Sequence, residues 1–454
     1  MRQYQNFYFE NFSFDINTGE AKFIYSFDED IFFEEKIYFF DSHFPLREKL
    51  DIQIIENILF HIHIALGISY YKSFLSKNLV VKTGKINQSQ INFWKKFYLH
   101  GLGEFFYKNK INPEGLLNFG SISEKQYQKL DFTVNEKYLV PVGGGKDSIV
   151  SIELLKQMGQ TIDLVTFAQN DNILYENTAQ NANLKRLFIQ RQLSKNISEV
   201  NTLGAYNGHV PITGMIAFIL ELASYLYDYK YIVLSNEKSA NFGNTIYYGF
   251  EINHQWSKSL EFEKDFGEYV GEYISSDTQY FSLLRPYYEL KIAELFAKFG
   301  KKYFTNFSSC NTNFKIFKKD VKNTYWCNSC PKCAFVYSIL RPFLSHEETI
   351  SIFGKELYEE TSLETLFREL AGISGIKPFE CVGTNEEVVF AMNKALEKFP
   401  KKLPFILEIF QKEVQSKMSL EDFENIRKKV LIADFDNQII PENLIKELKK
   451  YEQI

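Results

Sequence analysis

The chain lacks the features that mark several broad classes. None of its 454 residues lies in an uninterrupted apolar run of the about 18 residues that read as a membrane span. Its first stretch, MRQYQNFYFENFSFD, has neither the basic start nor the apolar segment of a secretory signal, so the expected location is the cytosol. Charge of one sign is missing too: 52 Lys plus Arg stand against 57 Asp plus Glu, and a net charge of −5 offers no broad basic face to nucleic acid or an anionic membrane. Only five cysteines occur, which excludes a disulfide-built scaffold. No internal repeat or low-complexity tract is present, so a solenoid is excluded as well.

What is present divides into three parts. Residues 6 to 40 alternate aromatic and polar side chains, with turn signals at Asn17-Thr18-Gly19 and Asp28-Glu29-Asp30, and predict an antiparallel meander. Helical patterns follow from Ile52 to Leu75 and from Gln88 to Tyr107, so residues 1–135 read as an N-terminal α+β domain. At Tyr138 to Val142 a short apolar strand runs into three glycines and a helix from Ser148 to Met158. Buried strands at Asp163 to Phe167 and Tyr231 to Leu234, separated by helical stretches such as Ile212 to Leu226, predict a doubly wound parallel α/β sheet over residues 136–345. Residues 346–454 read as a helical C-terminal region, broken near Gly372-Ile373-Ser374-Gly375 and Phe399-Pro400.

The glycines of Gly143-Gly144-Gly145-Lys146-Asp147-Ser148 let the backbone approach an anion, and the helix that follows offers unpaired N–H groups, so a phosphate is the expected ligand. The Walker pattern does not fit, because Val140 stands where its first glycine belongs and Asp147 follows Lys146 where Ser or Thr should. The loop resembles instead the GGxDS signature of the PP-loop ATP pyrophosphatases. That resemblance implies ATP bound through its β,γ-diphosphate, a substrate oxygen that becomes adenylated, and Ser148 as a donor to a phosphate. Leu284-Arg285-Pro286 resembles the late Arg-Pro element of the same superfamily, with Lys146 and Arg285 as expected countercharges. Asp147 is a candidate for Mg²⁺, or simply for capping the helix.

Cys310, Cys327, Cys330 and Cys333 offer the four thiolates of a closed structural zinc site, and the loop residues between the last three favour metal over core packing. An iron–sulfur cluster is the alternative. Cys381 stands apart.

Two further strings, Gly204-Ala205-Tyr206-Asn207-Gly208-His209-Val210-Pro211 and Ser235-Asn236-Glu237-Lys238-Ser239-Ala240, are too polar for simple core elements, and the second follows a strand end, where open α/β sheets bind ligands. A third, Ile252 to Ser259, adds His254 and Lys258. Together with Ala65 to Lys72, Phe97 to Phe105, PVGGGKDS, FSLLRP and WCNSCPKC, these strings resemble the UDP-N-acetyl-α-D-muramoyl-L-alanyl-L-glutamate epimerases of bacterial peptidoglycan synthesis. The resemblance is weak beyond Pro342. It implies a small-molecule substrate, UDP-MurNAc-L-Ala-L-Glu, whose terminal L-Glu is inverted to D-Glu with ATP and Mg²⁺, releasing AMP and diphosphate.

Candidate acid–base residues in the matched strings are His209, Glu237, Lys238, His254 and Lys258, with Arg285, Lys238 and Lys258 as alternative contacts for a carboxylate or diphosphate. His61 and His63 lie in an apolar helical stretch and read as structural. Two other functions fit parts of the pattern. A nucleobase- or tRNA-modifying enzyme of the 7-cyano-7-deazaguanine synthase type also pairs such a loop with four cysteines, but the N-terminal domain, the long C-terminal region and the absent basic stripe stand against it. A zinc-stabilised nucleotide sensor without turnover is the other, and the presence of Asp147 counts against that.

Overall fold

Alternation in the first forty residues places Phe7, Phe9, Phe23, Tyr25, Phe27 and Phe33 on one buried face, and that face organises the N-terminal half. The structure, a computed structural model, describes residues 3–312, 325–375 and 377–452. The meander is β1 (Asn6–Asp15), β2 (Glu20–Phe27) and β3 (Ile31–Tyr38), paired antiparallel. Its first turn is set by Asp15, whose carboxylate accepts the Asn17 N–H at 2.9 Å, and by Gly19 at φ +71°. Its second turn holds Asp28 and Glu29 in the left-handed region.

The remaining strands are β4 (Asn78–Val81), β5 (Asn118–Ser121), β6 (Tyr138–Pro141), β7 (Ile162–Ala168), β8 (Arg186–Gln192), β9 (Tyr231–Leu234), the ribbon β10 (Thr245–Tyr247) and β11 (Phe250–Ile252), and β12 (Gln279–Ser282). Ten of these strands form one sheet in the order β12-β9-β6-β7-β8-β3-β2-β1-β4-β5. It is parallel along most of its width, with the antiparallel meander set between two parallel stretches. The sequence predicts an N-terminal α+β unit and a separate parallel sheet, whereas here β3 pairs with β8 and joins the two.

The helix Ile52–Tyr71 lies against the meander, and Gly67 permits the approach, since a Cβ there would sit 2.4 Å from the Phe9 ring. By length and composition this helix passes as a membrane span, but 78% of its apolar window is buried inside the protein. His61 and His63 belong to that interior. His61 bonds the Tyr269 hydroxyl at 2.9 Å and His63 the Ile24 carbonyl at 3.1 Å, and burial pushes both pKa values down to about 3. The expected helix from Gln88 to Tyr107 is two helices, Gln88–Gly101 and Gly103–Asn109, which break at Leu102.

Within β12-β9-β6-β7-β8 the chain starts in the middle at β6, moves outward through β7 and β8, then returns to the other side of β6 for β9 and β12. The strand order therefore reverses between β6 and β9, and such a switch point opens a crevice at the carboxyl ends of the strands. The helix Lys146–Gln157 packs in one apolar cluster and the helix Ile212–Tyr227 in another, as layers on opposite faces of a sheet do.

The seam between the two halves carries a buried ion pair. Glu35 of β3 receives Arg191 of β8 through two bonds, at 2.6 and 3.2 Å, and Arg191 also donates to Ser69 Oγ at 3.1 Å. Glu35→Ala leaves the guanidinium buried and uncompensated and should lower unfolding free energy by about 3–5 kcal/mol. Paired Glu35→Leu and Arg191→Met replacements should recover most of that loss. Urea unfolding of the two variants beside the wild type checks this, and a wild-type midpoint for Glu35→Ala would show that the pair does not hold the seam.

Candidate active site

The short strand β6 delivers Val142 to the switch point, and the chain then turns through Gly143, Gly144 at φ +77° and Gly145 into the helix Lys146–Gln157. Gly145 caps that helix without any side-chain hydrogen bond, so the first turn keeps N–H groups open to an anion. The loop is braced from outside: Ser308 donates its N–H to the Gly144 carbonyl at 2.8 Å. A Cβ on Gly145 would come within 2.9 Å of Ser309 Oγ, whereas one on Gly143 would meet nothing within 4 Å. A side chain at 145 would thus have to push the Ser309 hydroxyl aside, and the glycine at 143 leaves room for a ligand.

A cleft of about 370 Å³ opens at this point. Its walls include the ends of β6, β7 and β9, the loop residues Gly143, Gly145, Asp147 and Ser148, and the side chains Lys258, Lys332 and Cys381. Two of the three polar strings singled out in the sequence reach it, the one from Ile252 to Ser259 through Lys258. Ser235 and Asn236 line it directly, as do Thr213 and Ile216 at the start of the helix that follows Pro211.

The two expected countercharges lie elsewhere. Lys146 is fully buried and turns away from the cleft into an ion pair with Glu289, with Asp147 as a second partner. Arg285, 1% exposed, is held by Glu263 and donates to the backbone carbonyls of Glu237 at 2.7 Å and Lys258 at 2.5 Å. It fixes two of the polar strings in place and does not line the cleft. Among the described residues, the cations that do line it are Lys258 and Lys332. Lys332 bonds Glu289 at 3.2 Å and donates to the Cys381 carbonyl.

The acid–base candidates separate into groups. His209 and His254 stand with their rings 4.6 Å apart around Glu104, whose Oε2 is bonded by His254 Nδ1 and lies 3.5 Å from His209 Nδ1. Burial and the neighbouring His254 bring His209 down to about 4, while bonds to Cys381 and Glu104 outweigh burial and bring His254 up to about 9. Glu104 falls to about 2, against its burial, because it bonds His254 and Lys108. Glu237 is buried, and burial together with Glu289 lifts its carboxyl to about 7. Lys238 lies apart, paired with Asp434 at 2.5 Å beside a different hollow.

Four residues of this arrangement escape the sequence reading: Glu104, Glu289, Lys332 and Cys381. Lys332 sits between two metal-type cysteines and reads there as a spacer. Glu289 reads only as an acidic first-turn residue of the helix Glu289–Phe299. Cys381 has no spacing partner in the sequence at all.

The cysteine cluster packs beneath the cleft. Cys310, Cys327, Cys330 and Cys333 bring their sulfurs within 4.8 Å of one another, with Cys327 to Cys333 at 3.7 Å and Cys330 to Cys333 at 3.4 Å. A tetrahedral zinc with bonds of about 2.3 Å sets its sulfurs about 3.8 Å apart, so the four thiols fit that ion. A metal held by all four thiolates would have no open coordination position, as in a structural site.

Comparison with known proteins agrees with the resemblance in the motifs. Residues 1–283 match the MurL N-terminal domain and residues 306–424 the MurL C-terminal domain. A protein of Xanthomonas oryzae pv. oryzae named UDP-N-acetyl-alpha-D-muramoyl-L-alanyl-L-glutamate epimerase is 34% identical over 424 residues, 93% of this chain and 92% of the relative. Relatives of the same name from Micromonospora sp. and Salinispora tropica are 34% and 35% identical, over 88% and 87% of this chain and 88% and 85% of their own length.

Freshly purified protein should carry about one zinc ion per chain, and Cys330→Ser should lose it together with a marked drop in melting temperature. Metal analysis by mass spectrometry checks this. Iron with a visible absorption band in place of zinc, or a variant as stable as the wild type, would contradict it.

Proposed function

Because the chain belongs to the MurL family, we propose that it inverts the terminal L-Glu of UDP-MurNAc-L-Ala-L-Glu to D-Glu in the cytoplasm, cleaving ATP to AMP and diphosphate. The observation that carries this reading is the single cleft in which a braced glycine loop, an open helix N-terminus and two lysines face one another. In this reading β6, the loop and the helix Lys146–Gln157 form a PP-loop unit.

The loop N–H groups and Ser148 hold the ATP phosphates, in the manner of anions at helix N-termini. Asp147, which lines the cleft, would hold Mg²⁺, an ion that would supply neutralising charge at the phosphates. The terminal α-carboxylate of the dipeptide attacks the α-phosphate and displaces diphosphate. Lys258 and Lys332 face the negative charge gathered around the reacting centre.

Activation is what makes inversion feasible. A free carboxylate repels the carbanion that forms when the neighbouring Cα–H bond breaks, whereas an acyl-adenylate has lost that charge and its carbonyl accepts the electron pair. Proton removal and reprotonation on the opposite face invert the centre. Water then attacks the acyl carbon and AMP departs, which draws the sequence toward D-Glu.

Run in D₂O, the reaction should place deuterium on Cα of the D-Glu product and form AMP without ADP, and omission of ATP should stop both inversion and exchange. Asp147→Ala and Ser148→Ala should each lower AMP formation at least about 100-fold, the usual scale for losing a group that stabilises transition-state charge. Mass spectrometry of product and nucleotide reads all of these. Release of AMP with a 7-carboxy-7-deazaguanine substrate and not with the muramoyl dipeptide would replace the proposal with the nucleobase-modifying one.

A further inference from the structure

Inversion requires a group that faces the cleft and is unprotonated before it meets the substrate. Among the described residues, the titratable side chains lining the cleft are Asp147, Tyr175, Lys258, Lys332 and Cys381. Asp147 belongs to the phosphate end and is paired with Lys146. Tyr175 is a phenol whose pKa is raised by burial, so it holds its proton. Lys332 is an ammonium paired with Glu289, and Lys258 directs its ammonium at Cys381 Sγ, 3.5 Å away. Cys381 remains.

Its surroundings come from three separate parts of the chain. Lys332, on the helix Pro331–Leu340, donates to the Cys381 carbonyl and fixes the backbone. Lys258, on the short turn Trp256–Lys258, faces the sulfur. His254 also acts on Cys381, lowering its pKa, and its Nδ1 is held by Glu104. A cysteine, a histidine and a carboxylate so linked form the arrangement that generates a reactive thiolate.

We propose that Cys381, held as a thiolate by Lys258 and by the His254–Glu104 pair, is the catalytic residue that removes the Cα proton from the activated substrate. The inference rests on the adenylation reading above and names the base within it. In the step, the Cα–H bond breaks, an S–H bond forms, and the electron pair moves onto the acyl oxygen as an enolate. A solvent proton then adds at the opposite face of Cα, and the thiol returns its own proton to solvent as it reionises. No oxidant or further reactant is needed.

Electrostatics favour this state. Burial pushes the Cys381 thiol up, but Lys258, His254 and Lys332 outweigh it and bring the pKa to about 6. The other charged groups facing it are Lys377 and Glu380, one of each sign. The base is therefore present above pH of about 6 and is lost as pH falls through that value.

The full-length protein, with ATP, Mg²⁺ and UDP-MurNAc-L-Ala-L-Glu in D₂O, tests the assignment. Cys381→Ala should still form AMP while returning unlabelled L-Glu, with deuterium incorporation and D-Glu reduced by about 10²–10⁴-fold, the range for loss of a general base. His254→Gln, a change in a positioning residue outside the cleft, should move the acid limb of exchange from about 6 toward the ordinary thiol value of about 8.5. Iodoacetamide labelling of Cys381 against pH, read by peptide mass spectrometry, should shift in parallel without any turnover. Exchange at the wild-type rate in Cys381→Ala, joint loss of AMP and exchange in a variant that keeps its zinc and melting temperature, or a substrate acyl group trapped on Cys381 would each overturn the base role. Wild-type protein that forms no AMP from the dipeptide would instead defeat the underlying adenylation reading.

Discussion

The arrangement depends on one buried carboxylate held between two ammonium groups. Glu289 is 1% exposed and contacts Lys146 of the phosphate loop on one side and Lys332 of the cysteine segment on the other. Burying such a charge alone is prohibitive, so the carboxylate depends on these ammonium groups for its place in the interior. Both lysines, opposing burial, hold the Glu289 carboxyl down at about 2. Its contribution to folding is therefore complete above the ordinary carboxylate value and fades only as pH falls toward 2. One residue thus ties the β6 loop to the segment that carries three of the four cysteines.

That tie gives the cysteine cluster an indirect part in the cleft. Lys332 immediately precedes Cys333, and its ammonium reaches both Glu289 and the Cys381 backbone. A metal that fixes Cys333 fixes Lys332, and through it the backbone of the candidate base. Behind the cleft lining, Arg285 does the equivalent for Glu237 and Lys258 by gathering their carbonyls. The cleft is accordingly shaped by buried charge networks whose members mostly do not face the ligand.

Local signals in the sequence carry what local physics decides. Three glycines after an apolar strand mark the loop because Gly144 adopts a left-handed conformation that favours glycine, and the crowded cysteines mark a cluster because their spacing is short enough to gather four thiols. The meander and the strand β9 are equally plain in their patterning. What escapes is decided at long range. Lys146 reads as a phosphate ligand until Glu289, far along the chain, is seen to take it. Cys381 meets Lys258 and His254 only through tertiary folding, and β8 joins β3 by a pairing that no short pattern specifies. The candidate site was legible as a set of strings, but not in how its charges are paired.

The central claim is that the terminal carboxylate attacks the α-phosphate of ATP in the cleft beside Gly143. It is tested most directly by isotope transfer. UDP-MurNAc-L-Ala-L-Glu labelled with ¹⁸O in both oxygens of the terminal α-carboxylate is turned over with unlabelled ATP, and the AMP is weighed by mass spectrometry. The account predicts AMP carrying a single ¹⁸O, since the bridging oxygen leaves with the nucleotide when water attacks the acyl carbon. Unlabelled AMP accompanying full conversion to D-Glu would contradict it.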